Sequence, residues 1–130
     1  MIVYCCSDLI FATKIHSTAD AVGVVCRPAR DEAALQARLE CVDDGKAHDP
    51  VDAVIVDLTM GEPGLNLIRV AKVHEAKPQV VAFAPHVEVR MLQAAEELGA
   101  DQVMPRGAFA SQLPQLLRAL SGLAPPDTAG

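Results

Sequence analysis

Asp57 closes the run Val51-Asp52-Ala53-Val54-Ile55-Val56-Asp57, in which four consecutive apolar residues lead onto a carboxylate. So short an apolar run reads as a strand buried on both faces, the pattern of a central strand in a parallel sheet flanked by helices. Ligands and chemistry in such sheets gather at the carboxyl ends of strands, so Asp57 stands where a functional group is expected; a turn-capping carboxylate is the competing reading. Asp8, preceded by Ser7, follows a second apolar run at residues 2–6. Other chemistries find little support. There is no Gly-rich phosphate loop and no G-x-S-x-G nucleophile elbow. His16, His48, His74 and His86 lack metal-ligand spacing and read as surface residues, with His86 alone on the active-face side after Ala84-Pro85. Cys5, Cys6, Cys26 and Cys41 lack C-x-x-C spacing. They read as reduced, small hydrophobes, Cys5 and Cys6 being shielded inside the first strand.

The elements that must position these carboxylates follow from periodicity. Strands are expected at residues 2–6, 22–26, 51–57 (with its apolar stretch at 53–56), 79–84 and 101–104. Helices fill the intervals: one capped by Ser7 or Asp8 and running to about residue 21, and one opened by Asp31 with Leu35, Leu39 and Val42 as its stripe, ended by Asp43-Asp44-Gly45. A third, at about 65–75, follows the Gly61-Glu62-Pro63-Gly64 turn. The next carries Met91, Leu92, Ala95 and Leu98 and stops at Gly99. The last carries Leu113, Leu116, Leu117 and Leu120, with Ser111 as cap and Pro114 in its first turn. Such alternation predicts an α/β, flavodoxin-like, doubly wound five-stranded parallel sheet of order 2-1-3-4-5 with helices on both faces. In that order Asp8 and Asp57 face one crevice at the switch point.

Composition sets the remaining bounds. The 130 residues are 51% hydrophobic, 22% charged and 3% aromatic, so the core is aliphatic. One domain of that length buries roughly two-thirds of its unfolded surface without a metal or disulfide. Residues 1–122 read as that domain, and residues 123–130, with Pro125-Pro126, as a flexible tail. A net charge of −6, without clustered Lys or Arg, argues against a nucleic-acid partner. The chain has neither a basic leader nor a membrane-length apolar stretch, so a cytoplasmic protein with no membrane partner is expected.

Over residues 2–121 the chain resembles the response-regulator receiver domains of bacterial two-component signalling. Ser7-Asp8 matches the family's acidic pair, Asp57-Leu58-Thr59-Met60-Gly61 its phosphoacceptor and following loop, and Leu98-Gly99-Ala100-Asp101 the turn before the last strand. The resemblance implies a phosphoacceptor at Asp57, with a Mg²⁺ site from Asp8, Asp57 and Thr59. It puts Ala84 where the family carries Thr or Ser, and Arg106 where it carries Lys. Those positions depart from the pattern. Phosphoryl transfer to a carboxylate needs Mg²⁺ to neutralise the transferring oxygens. With Ser7 in place of an acid, the site loses one carboxylate, worth on the order of 6 kcal/mol before desolvation at about 5 Å and an effective dielectric of about 20. Ala84 lacks the hydroxyl, and the planar guanidinium of Arg106 does not reproduce a point-like ammonium. Arg106 is instead expected to pair with Asp57. Met104-Pro105-Arg106 also departs from the family's Lys-Pro order, and a trans Met104–Pro105 bond is the default.

The resemblance thus implies a degenerate pseudo-receiver: a stand-alone, non-enzymatic signalling domain acting through protein contacts, with Asp57 phosphorylation impaired or absent and at most weak Mg²⁺ binding. Its implied partners are a histidine kinase or output protein, and a second copy through the fourth and fifth helices. The alternatives are a phosphorylation-competent receiver using Asp57 and, more remotely, a small phosphatase of the haloacid-dehalogenase type. That motif needs a second Asp where this chain has Thr59.

Overall fold

Apolar strands whose alternate residues meet two different helical layers organise the molecule. The computed structural model describes residues 1–40, 42–43, 46–47 and 50–122. Its strands and helices are β1 (Ile2–Cys5), α1 (Leu9–Val22), β2 (Cys26–Pro28), α2 (Glu32–Leu39), β3 (Val42–Asp43), β4 (Lys46–Ala47), β5 (Ala53–Asp57), α3 (Glu62–Val73), β6 (Gln79–Ala84), α4 (Val89–Glu97), β7 (Gln102–Pro105) and α5 (Arg106–Ser121). The main sheet has the order β2-β1-β5-β6-β7 and is parallel throughout. Counting its own strands only, this is the expected order 2-1-3-4-5.

Pleating divides the strand residues between two cores. Val3, Cys5, Val54, Val56, Val80, Ala82 and Ala84 pack under α2, α3 and α4 with Leu35, Leu39, Leu65 and Ile68. The opposite set, Ile2, Tyr4, Ala53, Ile55, Val81 and Phe83, packs under α1 and α5 with Ile15, Phe109, Leu113 and Leu117. All three phenylalanines lie on that second face, where Phe83 and Phe109 stack at 4.2 Å and Phe11 stacks on both. Aromatic content is thus concentrated where α1 and α5 meet the sheet.

Several boundaries differ from the expectations. Val22 ends α1 rather than starting a strand: Gly23 takes the left-handed conformation at φ 77°, and Val24 N–H bonds Ala19 O, so the second strand begins at Cys26. Val42 leaves the helical stripe, because α2 stops at Leu39 and Val42–Asp43 pairs antiparallel with Lys46–Ala47. α3 starts at Glu62 with Pro63 in its first turn, where a missing N–H costs nothing. Ser111 does not cap the last helix. α5 starts at Arg106, directly after β7, and Pro114 lies in its interior on an exposed face, where water can satisfy the freed carbonyl. The Met104–Pro105 bond is trans. Cys41, Asp44, Gly45, His48 and the expected tail at 123–130 lie outside the described residues.

Asp101 fixes the edge of the sheet. Its Oδ2 accepts from Val80 N–H at 2.7 Å, its own N–H donates to Val80 O at 2.8 Å, and Lys72 Nζ lies 3.5 Å from the same carboxylate. The clamp joins the start of β6 to the approach to β7. It accounts for a carboxylate immediately before the last strand.

Candidate functional site

The carboxyl ends of β1 and β5 build the site. Parallel pairing puts Cys5 level with Val56, so one further step brings Cys6 level with Asp57 and, by the pleat, onto the same face. Asp57 is 2% exposed and is the only buried charged side chain among the described residues. Both its oxygens are engaged. Oδ1 accepts from Thr59 N–H at 2.9 Å and from Thr59 Oγ1 at 2.7 Å, capping the tight turn at Leu58–Met60. Oδ2 accepts from Cys6 Sγ at 3.3 Å. That thiol also lies 3.4 Å from Asp8 O, so a single S–H proton has two acceptors.

Burial, reinforced by the Asp57 charge, pushes the Cys6 thiol up to about 12; the Asp8 backbone contact opposes this only in part. Cys6 is therefore a neutral donor at ordinary pH, and Asp57 is held by neutral donors with no cation at ion-pair distance among the described residues. Hydrogen bonds to a charged group contribute roughly 1.5–3 kcal/mol each, which offsets the cost of burying the carboxylate.

Two glycines shape the loop that follows. Gly61 at φ 76°, ψ −143° occupies a region that side-chain-bearing residues rarely adopt, and it turns the chain from the Leu58–Met60 turn into α3. At Gly64 a Cβ would sit 3.2 Å from Asp57 O, so a side chain there would press on the acidic strand end and require a shift of a few tenths of an ångström.

The remaining expected site residues lie on the same edge of the sheet but do not gather around Asp57. Asp8 turns its carboxylate onto α1, where Oδ1 accepts from Ile10 N–H at 2.9 Å and Phe11 N–H at 3.2 Å as the helix N-cap. Ser7 is exposed and lines a neighbouring cleft. Ala84 is fully buried at the end of β6, opposite Pro105. Met104 is level with Phe83 and packs against the second core, while Arg106 is the exposed first residue of α5. Among the described residues Arg106 forms no ion pair, so the expected pairing with Asp57 is not made. Sequence reasoning missed Cys6 by placing it within the first strand, which ends at Cys5. The signal that finds it is the parallel register, which counts Cys6 level with Asp57.

Mg²⁺ demands a near-octahedral oxygen set. Among the described residues no group of three His, Cys, Asp or Glu side chains is placed to hold a metal, and a protonated thiol occupies the position beside Asp57 Oδ2. An ion taken by Asp57 would have to displace a hydrogen bond that its oxygens already accept.

No family model and no curated protein matches the chain. Solved structures do. The receiver domain of NtrX from Brucella abortus aligns with a TM-score of 0.73 at 16% identity, over 95% of this chain and 100% of that one. A response-regulator receiver domain from Rhodospirillum rubrum aligns at 0.66 and 24% identity over 99% of each. The Mn²⁺-bound form of the response regulator Rcp1 aligns at 0.70 and 12% identity, over 97% and 98%. The fold is therefore that of the response-regulator receiver domains. At these identities the likeness is one of fold.

Proposed function

We propose that the chain is a receiver-like signalling domain, spanning residues 1–122, which acts through protein contacts rather than catalysis and accepts phosphate on Asp57 poorly or not at all. The observation that carries this reading is the state of Asp57: buried, with Oδ1 covered by Thr59 and Oδ2 by a neutral thiol. An attacking carboxylate oxygen must be free to meet the phosphoryl group, and the charge developing on that group needs cations around it. Ala84 supplies no hydroxyl, and the placement of Met104 before Pro105 puts a thioether, not an ammonium, at the end of β7. Arg106 opens α5 instead. The partners that fit the fold are a kinase or output protein, or a second copy meeting α4 and α5; Val89, the first residue of α4, is exposed. No helix among the described residues is long and apolar enough to cross a membrane.

A competent phosphoswitch on Asp57 is the second reading, favoured by the position of Asp57 at the carboxyl end of a central strand and by the Mn²⁺ bound in one protein of the same fold. Incubation with acetyl phosphate and Mg²⁺, followed by intact mass, separates the two. The expected result is no added phosphoryl mass within minutes. Near-complete gain of one phosphoryl group, abolished in Asp57→Asn, overturns the proposal.

A further inference from the structure

The side-chain hydrogen bonds of Asp57 leave its own turn at one point only. Oδ1 is spent on Thr59 N–H and Thr59 Oγ1, inside the turn that Asp57 itself caps, and Oδ2 is spent on Cys6 Sγ. Toward β6 nothing polar is on offer: Asp57 is level with Phe83, and Ala84 beyond it carries no donor or acceptor in its side chain. Among the described residues, a change in the charge of Asp57 therefore has one hydrogen-bonded exit, through a thiol 51 residues away in the chain.

Beyond Cys6 lies the start of α1. Sγ is 3.3 Å from Asp57 Oδ2 and 3.4 Å from Asp8 O, and with one proton to give it cannot serve both acceptors at once. Asp8 O also accepts Ala12 N–H at 2.9 Å, the bond that closes the first turn of α1, while the Asp8 carboxylate caps Ile10 and Phe11 of the same turn. That turn presents Leu9 and Ile10 to solvent, 78% and 84% exposed. Relative strength decides which acceptor holds the proton. A hydrogen bond to an ionised acceptor is roughly twice as strong as one between neutral groups, so charged Asp57 takes the S–H proton and leaves Asp8 O to Ala12. Once the charge on Oδ2 is neutralised or a donor stands there, Sγ loses its preferred acceptor and its proton passes to Asp8 O. The first carbonyl of α1 is then tied to the end of β1 as well as to its own helix.

We propose that Cys6 is a two-position relay: the charge on Asp57 decides whether the thiol bonds the acidic strand end or the first carbonyl of α1, and so sets how firmly the first turn of α1 is held to β1. Any cation that takes Oδ2 displaces the thiol and throws the relay the same way. The relay goes beyond the signalling reading and does not depend on whether Asp57 accepts phosphate, so the acetyl phosphate result bears on that reading alone.

Asp57→Asn removes the charge while its amide oxygen still accepts from Thr59, so the turn is kept, which far-ultraviolet dichroism checks. Hydrogen exchange of the Ala12 amide in the whole chain, read by nuclear magnetic resonance, is expected to slow by about threefold or more, because a further bond must break before the first turn opens. In a Cys6→Ala background the same substitution should change it by less than about twofold. In a Cys6→Ser background, where a hydroxyl offers one proton to the same two acceptors, the effect should return. The S–H stretching band of Cys6, isolated as the infrared difference between the wild type and Cys6→Ala, should lie at the low frequency of a carboxylate-bound thiol and rise in Asp57→Asn. Because the wild-type band is read without altering Asp57, it locates the proton even where Asp57→Asn does not fold. An Ala12 amide that responds to Asp57→Asn equally with and without the thiol, or a wild-type Cys6 band at the frequency of an unbonded thiol, would each overturn the proposal.

Discussion

Cys6→Asp places a carboxylate beside Asp57 and tests directly what the thiol does. In the native arrangement Sγ lies 3.3 Å from Asp57 Oδ2 and carries a proton; in the variant an oxygen of like charge takes its place. Two unit charges about 4 Å apart at an effective dielectric of about 20 repel by roughly 4 kcal/mol, and the half-buried position of residue 6 reduces this to on the order of 2–4 kcal/mol. Loss of the thiol hydrogen bond acts in the same direction. In chelator, the variant is expected to unfold at a lower urea midpoint by that amount. The two carboxylates now offer oxygen ligands to a divalent ion, and Mg²⁺ at about a hundred times its dissociation constant would return about 2.7 kcal/mol. The wild type, in which the ion would have to displace bonds that Asp57 already accepts, should shift little. Urea melts of both proteins with chelator and with excess Mg²⁺ give four midpoints. A Cys6→Asp variant as stable as the wild type in chelator, or a wild type itself strongly stabilised by Mg²⁺, would refute the argument that a neutral donor covers Asp57.

Two further outcomes follow from the same geometry. Burial is the leading cause that pushes Cys5, Cys6 and Cys26 from 9.0 to about 12, so the folded state favours the protonated thiols: their contribution is present in full below about pH 9 and is lost as pH rises toward 12. A urea midpoint that stays constant from about pH 8 to about pH 11 would contradict this. Asp8→Ala removes the α1 N-cap and should cost about 1 kcal/mol, equally with and without Mg²⁺; a loss seen only in the presence of the ion would show Asp8 to be a metal ligand instead.

Local chemistry made much of the frame legible. Apolar runs located the strand stretch at 53–56, to which β5 adds Asp57, and the strand at 79–84, which matches β6, because a strand buried on both faces is largely apolar. Asp31 and Gly99 marked a helix start and a helix stop through caps that act within one turn. The placement of Asp57 at a strand end was likewise readable from its own segment. What surrounds Asp57 was not. Whether Cys6 or Ser7 stands beside it depends on where β1 ends and on its register against β5, contacts made across 51 residues of chain. Asp8 lies at the expected edge, yet its carboxylate is committed to α1, because a helix start and an acidic pocket compete for the same side chain. Arg106 sits at the head of α5, two strands away from β5, because the chain turns into helix directly after Pro105. The sequence by itself determined where the two central strands lie and which carboxylate ends one of them. Register and helix geometry, which are tertiary properties, decided that a thiol rather than a charge completes the site.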